Sequence, residues 1–152
     1  MQLTEHFSLA ELQASTKAAQ LHIDNTAPPE VLPRLRKLAD LLERVRGHLG
    51  TPITITSGYR CPALNKAVGG VTSSDHMLGM AADIVAPGYG TPYDIAKALA
   101  PQVSVLGIGQ IILEGVRGKQ WVQISTRVPD KPANRVITIT DTGVQLGIQV
   151  LA

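Results

Sequence analysis

Apolar residues recur at alternating steps of four and three through Val31, Leu35, Leu38, Leu42, Val45 and Leu49, the spacing that aligns one face of an α-helix. Arg34, Lys37, Arg44 and Arg46 fall largely outside that stripe, so the helix is predicted to bury one side only. The turn Asn25 to Glu30, with Pro28 and Pro29, launches it, and Gly47 and Gly50 end it. Upstream, Ser8-Leu9-Ala10-Glu11 has the form of a capping box and predicts a short helix.

The period then changes. Ile53-Thr54-Ile55-Thr56 alternates as a half-buried strand does and delivers Ser57-Gly58-Tyr59-Arg60 to a turn. Pro62 suits the first position of a short helix through Val68, and Gly69-Gly70 breaks it into a polar loop, Thr72-Ser73-Ser74-Asp75-His76. Gly79 and the apolar run Ala81 to Ala86 predict a second strand. Thr91-Pro92 starts a helix through Leu99, with Asp94 helping to cap it and Pro101 ending it. Strands are expected over Gln110 to Glu114, Trp121 to Ser125, Val136 to Thr140 and Val144 to Val150, with Asp141-Thr142-Gly143 as the last turn.

Helices first and strands later predict an α+β fold, with N-terminal helices packed on a mainly antiparallel sheet. With 152 residues and no repeat or linker, one domain is expected over 1–152. It divides into a helical lead-in (1–50), a core carrying the candidate chemistry (51–127) and C-terminal strands (128–152). Hydrophobic content of 44% with 17% charged residues describes a globular chain, and 3% aromatics leaves the interior to aliphatic side chains. A net charge of +2 without basic clusters argues against nucleic acid as a partner. No apolar run is long enough to predict a membrane span, and Met1 to Ala10, with Glu5, does not read as a signal peptide. The single cysteine, Cys61, forms no intrachain disulfide and reads as a small buried hydrophobe.

His76 and Asp83, one in the polar loop and the other inside the apolar strand, are the central candidates for chemistry. Ala81, Asp83 and Val85 share a strand face, so Asp83 points into covered surface or a cleft and needs a partner. A metal ion is one solution; a loop-capping histidine and a carboxylate on backbone amides are the other. The longer string Ser57-Gly58-Tyr59-Arg60-Cys61-Pro62, Asn65, Val68-Gly69-Gly70, Ser74-Asp75-His76, Gly79 and Ala81-Ala82-Asp83 narrows the choice.

In these residues the chain resembles the D-Ala-D-Ala carboxypeptidase family of zinc peptidases, which includes phage endolysins and is related to vancomycin-resistance dipeptidases. His6-Phe7-Ser8-Leu9-Ala10-Glu11 and Pro28-Pro29-Glu30 resemble the helical lead-in of many members. The resemblance implies the D-Ala-D-Ala peptidase-like (hedgehog/D,D-peptidase) fold, with zinc on His76 and Asp83. The family's third ligand is a histidine in a Trp-Val-His strand, where this chain has Trp121-Val122-Gln123. Alternation puts Trp121, Gln123 and Ser125 on one face, so Gln123 aims where the ligand is expected.

Amide oxygen is a harder donor than imidazole, better matched to Mg²⁺, Ca²⁺ or Mn²⁺. The resemblance therefore implies zinc held weakly or replaced by another divalent ion. The family's general base often lies three positions before the third histidine, which here is Gln120, and an amide accepts no proton at neutral pH. Glu114 matches a glutamate that precedes the segment in close relatives, and is the remaining candidate base. Arg60 resembles the arginine that grips the substrate's terminal carboxylate, and Ser74 the serine beside the metal histidine. His6, His22 and His48 do not match the family's metal motif and are read as surface residues, and Cys61 as a structural one, each also a possible substitute ligand.

Two functions follow. The first is a metal-dependent peptidase acting on peptidoglycan peptides, a D,D-carboxypeptidase or endopeptidase of the phage-lysis kind. It would reside in the host cytoplasm before release to the wall, or in the virion beside virion proteins. The second is a catalytically impaired relative serving as a phage structural or wall-binding protein.

Overall fold

The computed structural model describes residues 1–126 and 134–151. The expected boundary at 127 and 128 lies outside the described residues. The capping box forms as read: Ser8 Oγ accepts from the Glu11 N–H at 3.1 Å, and α1 runs Leu9–Gln13. A second short helix, α2 (Thr16–Gln20), starts at Ser15, whose hydroxyl caps the Ala18 N–H. It went unpredicted because five residues are too few to show a period. After one 3-10 turn at Pro29–Val31, α3 spans Leu32–Leu49 and ends at Gly50 in the left-handed conformation. Every residue of the predicted stripe is buried, with Ala39 and Leu41 added to it.

The strands are β1 (Thr54–Ser57), β2 (Ala81–Val85), β3 (Gln110–Val116), β4 (Lys119–Ser125), β5 (Arg135–Thr140) and β6 (Gly143–Leu146). They form one sheet in the order β1-β2-β4-β3-β5-β6, antiparallel at every junction except β3 with β5. The α+β class with a mainly antiparallel sheet therefore holds. Helix α4 (Pro62–Ala67) follows β1, and α5 (Pro92–Leu99) follows β2 with the Thr91/Asp94 capping box complete.

Several boundaries differ from expectation, Gly47 lying inside α3 rather than ending it. Pro101 does not stop the helical path: at the start of the 3-10 turn Ala100–Gln102 its missing N–H costs nothing, and α6 (Val103–Leu106) follows. Strands β3 and β4 each run past the predicted ends because Arg117 and Gly118, both at positive φ, make a two-residue turn matched to strand twist. Strand β6 stops at Leu146 rather than Val150.

The pleat gives the sheet two different faces. Ala82, Ile84, Ile111, Leu113, Val122 and Ile124 join Leu35, Leu38, Leu42 and Leu99 in the core beneath the helices. Asp83, Ile112, Glu114, Trp121 and Gln123 alternate with them and face the other way, into a cleft of about 690 Å³. No helix among the described residues is long and apolar enough to cross a membrane.

Candidate metal centre

The site begins where β1 ends. Tyr59 N–H donates to the Leu12 carbonyl at 2.6 Å, which presses the backbone of Gly58 against α1. A Cβ at Gly58 would collide with the Leu12 carbonyl oxygen, so only glycine allows this approach. The Gly58 carbonyl is thereby fixed, and it accepts from His76 Nδ1 at 2.8 Å.

His76 lies on a 3-10 turn, Asp75–Leu78, rather than in an open loop, and is 2% exposed. Ser74 caps the turn, its Oγ accepting from the His76 N–H at 3.2 Å, while the His76 carbonyl accepts from the Arg60 N–H at 3.1 Å. A carbonyl only accepts, so Nδ1 carries a proton and Nε2 is the ring nitrogen turned toward Asp83. Nε2 lies 3.2 Å from Asp83 Oδ1, yet both atoms are buried without a hydrogen-bond partner. Positive charge between the two atoms satisfies both, whether as a proton on Nε2 or as a metal ion that both contact.

Asp83 is held from its other oxygen. Arg60 Nη2 approaches Asp83 Oδ2 at 3.4 Å, Arg60 Nη1 donates to Asn65 Oδ1 at 3.4 Å, and Arg60 Nε donates to Ser57 Oγ at 3.2 Å. Asn65 in turn donates to the Val71 carbonyl at 2.9 Å, tying the guanidinium to the loop that walls the cleft. Tyr59 is buried structure.

Gln123 is the direct cross-strand partner of Asp83, and its side chain lines the cleft on the same face. No third His, Cys, Asp or Glu joins His76 and Asp83 among the described residues. The donor set is therefore one imidazole nitrogen, one carboxylate oxygen and, opposite them, an amide. It fits a divalent cation, but falls one strong ligand short of the three protein donors usual for catalytic zinc.

Glu114 faces the same cleft one strand further on, paired across β3 and β4 with Trp121. Burial pushes its carboxyl up from 4.5 to about 7, helped by the Asp83 charge and opposed by His76, Arg60 and Trp121. The Trp121 indole N–H is buried and makes no hydrogen bond of good geometry, so its hold on Glu114 is weak. A carboxylate titrating near neutrality can both take and return a proton at pH 7.

Gln120 does not belong to the site. Three positions from Gln123 on a strand means the opposite face, and Gln120 lies beyond the sheet beside Gly115 and Thr140. The loss of acidity at 120 therefore says nothing about the cleft. His6 is spent on Glu43 at 2.7 Å, and His22 and His48 are exposed elsewhere, so none lines the cleft as a substitute ligand. Cys61 is half-buried rather than buried; its sulfur accepts from the Leu64 N–H at 3.4 Å as the cap of α4, outside the cleft lining.

Arg135, at the start of β5, lines the cleft and was not singled out from sequence. It lies one residue before the expected strand, and its face, shared with Ile137 and Ile139, depends on the parallel pairing with β3, a contact no local pattern announces.

No curated protein matches this chain in sequence. Residues 5–112 match the family described as peptidase M15, a span that includes Arg60, Ser74, His76 and Asp83 and ends before Glu114, Trp121 and Gln123. The match bears out the resemblance to the zinc D-Ala-D-Ala carboxypeptidases on the part of the chain that builds the histidine–aspartate pair, and members of that family are typically zinc-dependent. The chain belongs to the peptidase M15 family.

Proposed function

We propose that this chain is a divalent-metal peptidase acting on peptidoglycan peptides, built on the D-Ala-D-Ala peptidase-like (hedgehog/D,D-peptidase) fold. The observation that carries this is the unpartnered pair, His76 Nε2 and Asp83 Oδ1, buried 3.2 Å apart on the floor of an open cleft. A divalent ion held between them would meet both donor atoms at once.

His76 and Asp83 would hold the ion, with the Gln123 amide oxygen or water completing its shell. A divalent ion bound there supplies positive charge that acidifies a water molecule and polarises a carbonyl. Glu114 accepts the proton as the water oxygen attacks the scissile carbonyl carbon, and returns it to the nitrogen when the C–N bond breaks. Arg60 positions Asp83, and two of its five N–H groups remain for a substrate carboxylate. Ser74 holds the His76 turn and borders the bound peptide. With Gln123 where the resemblance expects an imidazole, the site would hold zinc weakly, and Mn²⁺ or another harder ion would compete for it.

One observation favours the second reading, a wall-binding or structural protein without catalysis: the absence of a third strong ligand among the described residues. Glu114, half-buried in the same cleft as the pair, weighs against it, since wall binding alone gives no role to a carboxylate there. The resemblance to phage endolysins supports a place at the bacterial wall, reached from the host cytoplasm or as a virion component. The test is digestion of purified peptidoglycan with added Zn²⁺ or Mn²⁺ beside Asp83→Ala. Release of new amino groups by the wild type alone supports the peptidase; equal silence of both proteins sinks it.

A further inference from the structure

The cleft contains two arginines in different states. The Arg60 guanidinium contacts Ser57, Asn65 and Asp83, whereas the Arg135 side chain makes no hydrogen bond or ion pair among the described residues. Asp75, which also lines the cleft, accepts from Ser125 Oγ at 3.0 Å.

The position of Arg135 is nonetheless well fixed. Asn134, in the left-handed conformation, donates its side-chain amide to the Ile108 carbonyl at 2.8 Å, and the Arg135 N–H donates to the Gly109 carbonyl at 3.1 Å. Both bonds set the entry of β5 into the sheet, so the guanidinium projects from a rigid base rather than from a tip. A half-buried cation facing a cleft, without a counter-ion among the described residues, invites an anion.

The register gives the distance. Gln123, Ile112 and Ile137 lie in one row across β4, β3 and β5, and Arg135 is two residues along from Ile137. At about 4.8 Å per strand step and about 3.4 Å per residue, the backbones of Gln123 and Arg135 are roughly 12 Å apart. An extended peptide covers that in about three residues.

Resting on the peptidase reading above, we propose that Arg135 anchors a second substrate carboxylate about three residues from the scissile bond. The preferred substrates would then be peptides with an acidic residue at that distance. Arg135 is an anchor; it takes no part in proton transfer.

Trp121, the single tryptophan, lines the same cleft and reports binding by its fluorescence. The probes are two synthetic peptides ending in D-Ala-D-Ala, identical except for Glu or Gln three residues before the terminal peptide bond. They are titrated into chelator-treated wild type, Arg135→Gln and Arg135→Lys, each checked for unchanged thermal unfolding. We expect the wild type to bind the Glu peptide about tenfold more tightly than the Gln peptide. Arg135→Gln should lose that preference while binding the Gln peptide unchanged, and Arg135→Lys should keep part of it. Binding without Glu preference, or a preference that survives Arg135→Gln, overturns the anchor and leaves the peptidase reading standing. No binding of either peptide by the wild type overturns both.

Discussion

Replacing Glu114 by glutamine should stabilise the metal-free protein at alkaline pH while abolishing its chemistry. The Glu114 carboxyl titrates at about 7 in the folded chain, against 4.5 ordinarily, with burial as the first cause. The folded state therefore binds this proton more tightly than the unfolded one. Its stabilising contribution is complete below pH 4.5 and is lost as pH rises through 7. At about 1.4 kcal/mol per pH unit the full loss is about 3 kcal/mol, and residual solvation of the carboxyl reduces the expected difference between pH 5 and pH 8 to about 2 kcal/mol. Glutamine keeps the shape of the protonated acid and never ionises. In urea unfolding with chelator present, Glu114→Gln should be close to wild type at pH 5 and about 2 kcal/mol more stable at pH 8, with an unchanged denaturant slope. Thermal midpoints should separate by roughly 4–8 °C at pH 8. The same variant should lose about 10²-fold or more in metal-supported hydrolysis. A stability difference independent of pH, or a loss of stability at pH 8, would refute the claim that Glu114 is desolvated in the cleft.

Other outcomes follow from the same geometry. Gln123→His, directly opposite Asp83, should raise zinc affinity by about tenfold or more, read by competition with a chromophoric chelator; an unchanged affinity would mean the strand does not present this side chain to the ion. Gly58→Ala should drive the Leu12 carbonyl and the His76 support apart, weakening metal binding and lowering stability by about 1–3 kcal/mol in denaturant titration. Leu38→Ala, in the fully buried α3 stripe, should cost about 2–5 kcal/mol in the same assay without altering the metal preference of the folded protein.

What the chain discloses about itself depends on range. The α3 stripe, the two capping boxes and the Ile53–Thr56 alternation are local signals, and each element appears where its pattern places it. The common face of Trp121, Gln123 and Ser125 was also legible, because a strand's pleat follows from parity alone. Parity equally takes Gln120 off that face, against the position the resemblance implies for a base. The β3–β4 turn escaped because Arg117-Gly118 lacks the asparagine or aspartate that usually marks such a pair. Arg135 and the buried state of His76 depend on contacts between segments far apart in the chain. The first needs the parallel pairing of β3 with β5, and the second needs the carbonyl of Gly58.

The pairing of His76 with Asp83 is the hinge of the whole account, and a crystal structure grown with Mn²⁺ or Zn²⁺, with anomalous data at the metal edge, tests it directly. The expected result is one anomalous peak within bonding distance of His76 Nε2 and Asp83 Oδ1, on the side facing Gln123, with the Gly58 carbonyl still accepting from Nδ1. A cleft without a peak at millimolar metal, or a peak held by other residues, would contradict it.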